Sequence, residues 1–343
     1  MQKISQATAL ALALAVLLIG APAGAAHFTP DRVDMAAAKH EGTVSWYTST
    51  PIEAAQKIAN LFEKQTGIKV QLFRSGGSAV MSRFMQEMSA NTHAADVITT
   101  SDPAAAAALS KQGAFVAFKP ENFDKIPAEV KDKDGYWIAQ RLNLLAIAVR
   151  GDKLKAADRP KTWSDLTQPR FKSLEVMPDP SFTSLQLVAV NALAKKLGWG
   201  FYDGLHKDDI MIVQGHEQVE DMLKRGERVI AAEELDSYAA ADRKLGQPIV
   251  TVFPTEGVFA IASPTAIVKG GPNPNAAKAF AAFMIGDAVQ NAFSEEGIYA
   301  ARADAPPPAG SPKLSTLKLM PLDFDDLAAH EKDDKAHFNQ IFQ

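Results

Sequence analysis

Cysteine is absent from all 343 residues. That excludes disulfides, thiolate metal sites, a cysteine nucleophile and a lipid-modified cysteine behind a leader. Histidine is sparse and scattered, with 7 in the chain. His216-Glu217-Gln218-Val219-Glu220 lacks the second histidine of a zinc-protease helix, so two metal ligands do not fall on one helical face. Other signatures are missing too. There is no G-x-x-x-x-G-K-[ST] phosphate loop and no G-x-G-x-x-G dinucleotide turn. There is no G-x-S-x-G nucleophile elbow. The adjacent acids Glu233-Glu234 would not face each other on a helix, which weakens a paired-carboxylate reading. After the first 25 residues no apolar run is long enough to span a bilayer. No excess of positive charge points to nucleic acid: the net charge is −4, and loss of Lys3 with a leader takes −4 − 1 to −5.

What is present is ordinary globular composition, 47% hydrophobic and 22% charged, in a chain long enough for two domains. Residues 1–25 read as an export leader. Lys3 supplies the positive end, Ala9 to Gly20 the apolar run, and Ala23-Gly24-Ala25 an A-x-A cleavage site. A soluble exported product is expected, periplasmic where the source has two membranes.

The stretch from Val70 to Ala90 organises the rest. Val70, Leu72 and Phe73 form a short strand. Ser75-Gly76-Gly77-Ser78 is a turn. Val80, Met81, Phe84, Met85 and Met88 then mark one apolar helical face. The glycines let a ligand approach the backbone, Ser78 is expected as the N-cap, and first-turn N–H groups offer an anion site. The same strand, polar turn, helix grammar occurs three times in about 70 residues. Its turns are Thr48-Ser49-Thr50, Ser75-Gly76-Gly77-Ser78 and Thr100-Ser101-Asp102. In a parallel sheet these strand ends share one edge, where ligands bind. The grammar restarts at Glu175-Val176-Met177, followed by the polar turn 178–184 with Ser181, Thr183 and Ser184, and again at Val229 to Ala232. Glu233 to Tyr238 is expected as a polar turn after that strand. Ile249 to Phe253, Val258 to Ala262 and Ala266 to Val268 are expected as three strands, and Ala276 to Ser294 as one long helix. The tail is expected to be helical.

In this order, WYTST, QTGIKV, FRSGGSAVMSRF, ADVITTSDPAAAAAL, KTWSDLTQPRFKSLEVMPDPSFTS and SPTAIVKGGPNPNAAKAFAAFM resemble the periplasmic solute-binding proteins of ABC importers. The subgroup is the one that contains ferric-ion, phosphonate and sugar-phosphate binders. The resemblance runs from Gly42 to about Pro308. It implies an α/β, two-lobed, type II periplasmic-binding fold. Each lobe is a mostly parallel sheet flanked by helices, with ligand held in the cleft between them. It also implies a discontinuous layout: residues 26–143 plus 255–300 in one lobe, 144–254 plus 301–343 in the other. The closed form would dock on membrane permease subunits.

Ferric-binding members place two adjacent tyrosines after the second-lobe strand and His and Glu ligands in the first lobe. Here Asp236-Ser237-Tyr238-Ala239 has one tyrosine, and the first-lobe turns have neither His nor Glu. Hydroxyl and backbone donors dominate instead: Thr48, Ser49, Thr50, Ser75, Gly76, Gly77, Ser78, Ser101, Ser181, Thr183 and Ser184. The expected ligand is a small organic anion such as a phosphonate, phosphorylated compound or carboxylate. Asp102, Glu234, Asp236 and Glu256 are further candidates, the last three for an amine at its other end, and Tyr238 and Tyr299 for closing over it. No metal, cofactor or turnover is expected, and the chain is expected to be a monomer. A ferric carrier is the alternative, an exported hydrolase the remote one.

Overall fold

The structure, a computed structural model, describes residues 28–343; the expected leader lies outside them. In chain order the first elements are α1 (Met35–Glu41), β1 (Thr43–Thr48), α2 (Ile52–Thr66), β2 (Lys69–Arg74), α3 (Gly77–Ser89), β3 (Val97–Thr99), α4 (Pro103–Lys111), β4 (Phe115–Val116) and the long β5 (Ile138–Arg150). Then come β6 (Glu175–Pro178), α5 (Ser184–Leu197), α6 (Gly200–Lys207), β7 (Met211–Val213), α7 (His216–Arg225), β8 (Ile230–Leu235), α8 (Asp236–Lys244) and β9 (Ile249–Val252). The last are β10 (Phe259–Val268), α9 (Pro274–Met284), α10 (Asp287–Glu295), β11 (Tyr299–Ala300) and α11 (Phe324–Phe342).

The strands join in the order β2-β1-β3-β10-β5-β8-β6-β7, with β4, β9 and β11 added at its sides. At one end β2, β1 and β3 run parallel; at the other, β8, β6 and β7 do. β10 and β5 run antiparallel to their neighbours in between, pairing from Phe259 opposite Leu145 to Thr265 opposite Ile138. Two parallel sheets are thus welded by two long crossing strands, which gives two lobes.

Each lobe buries its sheet between two apolar layers. At the first end one layer gathers Val44, Trp46, Phe62 and Phe280, and the other gathers Tyr47, Val80, Phe84 and Phe115. At the second end Trp163, Tyr202, Leu193 and Phe338 cover one face, and Val176, Val219 and Leu223 the other. The helices follow from spacing. On α2, Ala54, Ala55, Ile58 and Phe62 recur on one face and are buried, and Gly67 ends the helix at φ +80°, donating to Glu63 O. α11 packs Leu327 and Phe338 into the second lobe and also lies against α4 of the first.

Four local expectations are corrected. The helix after the double glycine starts at Gly77 with Gly76 as N-cap, so Ser78 lies inside its first turn. β8 continues through Glu233-Glu234-Leu235, which are buried strand residues. There β5 and β8 change register, and Glu233 takes φ +58°, a bulge that inserts an extra residue. β10 is one strand where two were expected, because a second irregularity at Ser263/Pro264 absorbs the proline. The expected helix 276–294 is two, broken at Gly286, the N-cap of α10.

Candidate functional site

A cavity of about 500 Å³ lies between the lobes. The first turns of α3, α5 and α7 all open on it, through Gly77 and Ser78, Ser184 and Leu185, and His216 and Glu217. Their N-caps, Gly76, Thr183 and Gly215, make no side-chain capping bond. Each helix therefore presents N–H groups without an intrahelical partner, and about half a positive charge, to the same space. The lobes approach closely here. A Cβ placed on Gly77 would sit 3.5 Å from Ser184 Oγ, and Ser78 Oγ lies 3.5 Å from Phe182 O. Across the mouth Arg74 Nη2 meets Glu217 Oε1 at 3.0 Å, while Arg74 Nε donates to Thr50 O at 3.2 Å.

The floor comes from the crossing strands. Arg141 on β5 is 2% exposed. It donates to Asn143 Oδ1 and approaches Ser49 O at 3.4 Å and Ser101 Oγ at 3.5 Å; its Nε has no partner. Among the described residues no carboxylate pairs with it. Its pKa is lowered to about 10, chiefly by burial, with Tyr238 opposing the fall and the Arg74 charge adding to it. A guanidinium stripped of water and given no counter-ion is a strong attractor for an anion.

Of the residues expected from sequence, Ser49, Gly76, Gly77, Ser78, Ser101, Ser181, Thr183, Ser184 and Tyr238 line this cavity. Ser49 Oγ and Ser101 Oγ are 3.0 Å apart. Burial raises the Tyr238 pKa, with the nearby Glu217 and Glu234 carboxylates adding to it. The others do not line it. Thr48 and Thr50 are fully buried and bond to each other at 2.8 Å, with Gln140 Nε2 donating to Thr50 Oγ1. Ser75 holds the chain through its N–H to Thr48 O at 3.2 Å. Asp102 caps α4 by accepting from Ala105 N, which withdraws that helix terminus from the site; burial raises its pKa. Glu234 is buried behind the wall, its Oε1 at 3.5 Å from His216 Nδ1, with burial raising its pKa. Asp236 accepts from Thr251 Oγ1 at 2.5 Å and Ser311 Oγ at 3.2 Å. Glu256 lies in the turn before β10, and Tyr299 donates its hydroxyl to Pro312 O at 2.8 Å.

Sequence reasoning missed Arg141, Asn143 and Phe182, and set His216 aside with the failed zinc motif. A signal for the first two existed. Along one face of β5 the residues run Arg141, Asn143, Leu145, Ile147, Val149, with Leu145 onward in the second-lobe core. Polar side chains that switch to apolar along one strand face mark where that face leaves a core and meets a cleft.

Two lobes, two crossing strands and a polar gap lined from both sides are the architecture of a two-lobed solute-binding protein. The sequence profile of the bacterial extracellular solute-binding proteins matches residues 57–321. The chain belongs to that family. It is 25% identical over 236 residues to a probable ABC transporter periplasmic-binding protein of Sinorhizobium fredii, covering 63% of this chain and 62% of that relative. Its fold is similar to iron-bound HitA from Pseudomonas aeruginosa: TM-score 0.76 and 19% identity, over 88% of this chain and 99% of the other. It is also similar to AfuA from Actinobacillus pleuropneumoniae with fructose-6-phosphate bound: TM-score 0.75 and 23% identity, over 87% and 97%. Among the described residues no helix is long and apolar enough to cross a membrane.

Proposed function

We propose that this chain is the substrate-binding component of an ABC uptake transporter, working in the periplasm. It captures a small organic anion (a phosphonate, a phosphorylated compound or a carboxylate) between its lobes and delivers it to membrane permease subunits as a monomer. The lobes divide as 26–143 with 255–300, and 144–254 with 301–343, joined through β5 and β10. A ligand that touches both lobes favours the closed state by its extra contacts there.

The observation that carries the reading is Arg141, buried without a counter-ion where three uncapped helix N-termini converge. The work is capture without turnover. A ferric carrier is the second reading, and the likeness to HitA supports it. Against it, among the described residues no three His, Asp or Glu side chains gather as a metal set, and Tyr238 is the one tyrosine lining the cavity. The test is a thermal-melting screen against phosphonates, sugar phosphates, carboxylates and Fe(III). The proposal predicts a shift with one of the anion classes; a shift with Fe(III) alone would replace it with the ferric reading.

A further inference from the structure

Asn143 sits beside Arg141 on the cavity floor, and its amide is oriented by its neighbours. Its Nδ2 donates to Ser263 Oγ at 2.8 Å and faces Ile261 O at 3.3 Å, both on β10. Two oxygens on that side require the NH₂ group there, so Oδ1 turns to Arg141 and accepts from Nη1. Ser263 Oγ lies 3.5 Å from Ser101 Oγ, which in turn lies 3.0 Å from Ser49 Oγ. Arg141, Asn143, Ser263 and Ser101 are all at least nine-tenths buried. The network therefore ties the guanidinium to both crossing strands and to two first-lobe turns at once.

The choice of an amide matters. A carboxylate at this place would accept equally well from Arg141 but would neutralise it, and it has no hydrogen to give Ser263 or Ile261 O. An alkyl group would leave the guanidinium free to swing. We propose that Asn143 is a positioning residue that fixes Arg141 on the cavity floor without discharging it, so that anion affinity depends on position 143 being an amide. This rests on the anion-capture reading.

The test is calorimetric titration of the full mature chain with methylphosphonate and with inorganic phosphate, at low and high ionic strength, on wild type, Asn143→Asp and Asn143→Ala. For the wild type, binding that weakens with salt is expected. Asn143→Asp is expected to lose about 100-fold in affinity, as expected when a buried charge pair is internally satisfied. Its salt dependence should flatten, while its ligand-free melting temperature stays at or above the wild-type value. Asn143→Ala is expected to lose about tenfold and keep the salt dependence. If wild type binds and Asn143→Asp binds equally well with the same salt dependence, the positioning role is refuted. Acetate and glucose-6-phosphate are titrated alongside these two probes; if wild type binds none of the four, the anion-capture reading fails, and this inference with it.

Discussion

Replacing Arg141 with methionine separates the demands of folding from those of binding. The guanidinium is 2% exposed, and its pKa falls to about 10, roughly 2.5 below the ordinary arginine value, chiefly through burial. At 1.36 kcal/mol per pH unit, that fall means burial disfavours the charged form by roughly 3 kcal/mol. A depressed base is disfavoured in its charged form at every pH below its folded pKa of about 10. At pH 7 the full penalty is present. Methionine fills similar volume and removes it, but strands Asn143 Oδ1 and loses the approach to Ser49 O. Leaving that buried acceptor unsatisfied costs about 1–3 kcal/mol. The net expectation is a ligand-free protein at least as stable as wild type, by about 0–2 kcal/mol, a rise of up to a few degrees in melting temperature. Binding moves the other way. Losing a buried charge-assisted contact costs about 2–5 kcal/mol, or roughly 30-fold to several thousand-fold in affinity. Differential scanning calorimetry without ligand and titration with the anion selected by the melting screen read the two halves. A variant that melts below wild type, or binds within threefold of it, would show that Arg141 is not a binding charge held at a cost to folding.

Other consequences follow from single contacts. Gly77→Ala should be close to neutral, because the added Cβ meets Ser184 Oγ at an ordinary 3.5 Å; Gly77→Leu should keep the melting temperature but lose at least about tenfold in affinity by wedging the lobes apart. The Arg74–Glu217 pair spans the mouth with Glu217 66% exposed, so Glu217→Gln should weaken binding by about threefold or less, and not at all in high salt. Burial raises the pKa of Glu175 to about 9 and of Glu233 to about 8, so both carboxyls are protonated in the folded protein at neutral pH. Their contribution is full below about pH 4.5 and lost as pH rises through 8 to 9. Melting temperature should therefore fall from pH 5 to pH 9, and Glu175→Gln should flatten that slope; an unchanged slope contradicts the assignment.

Much of the fold was legible because each lobe obeys local rules. Helix α2 (Ile52–Thr66) is bounded by local signals, an apolar face that repeats from Ala54 to Phe62 and the glycine at 67 that ends it. The failures lie where tertiary packing overrides them. Gly286 divides a run whose apolar positions continue on both sides, and Pro264 sits inside β10 because a bulge removes the need for its N–H. For the site, the glycine turn and the serine turns reach the cavity from both lobes. Thr48, Thr50 and Asp102 instead spend their oxygens on turn geometry and a helix cap. That division depends on which way each side chain turns at the edge, which neighbouring residues in sequence do not encode. Arg141 was hidden because a charged residue in an apolar strand reads as an interruption until the crossing of β5 between lobes is known.

The most direct measurement is a crystal structure of residues 28–343 grown with the anion that gives the largest melting shift. The expected result is the acid group within hydrogen-bond distance of the Arg141 guanidinium, with N–H donors from α3 on one side and from α5 or α7 on the other. An anion bound to one lobe alone, or seated away from Arg141 with that side chain still facing an empty floor, would contradict it.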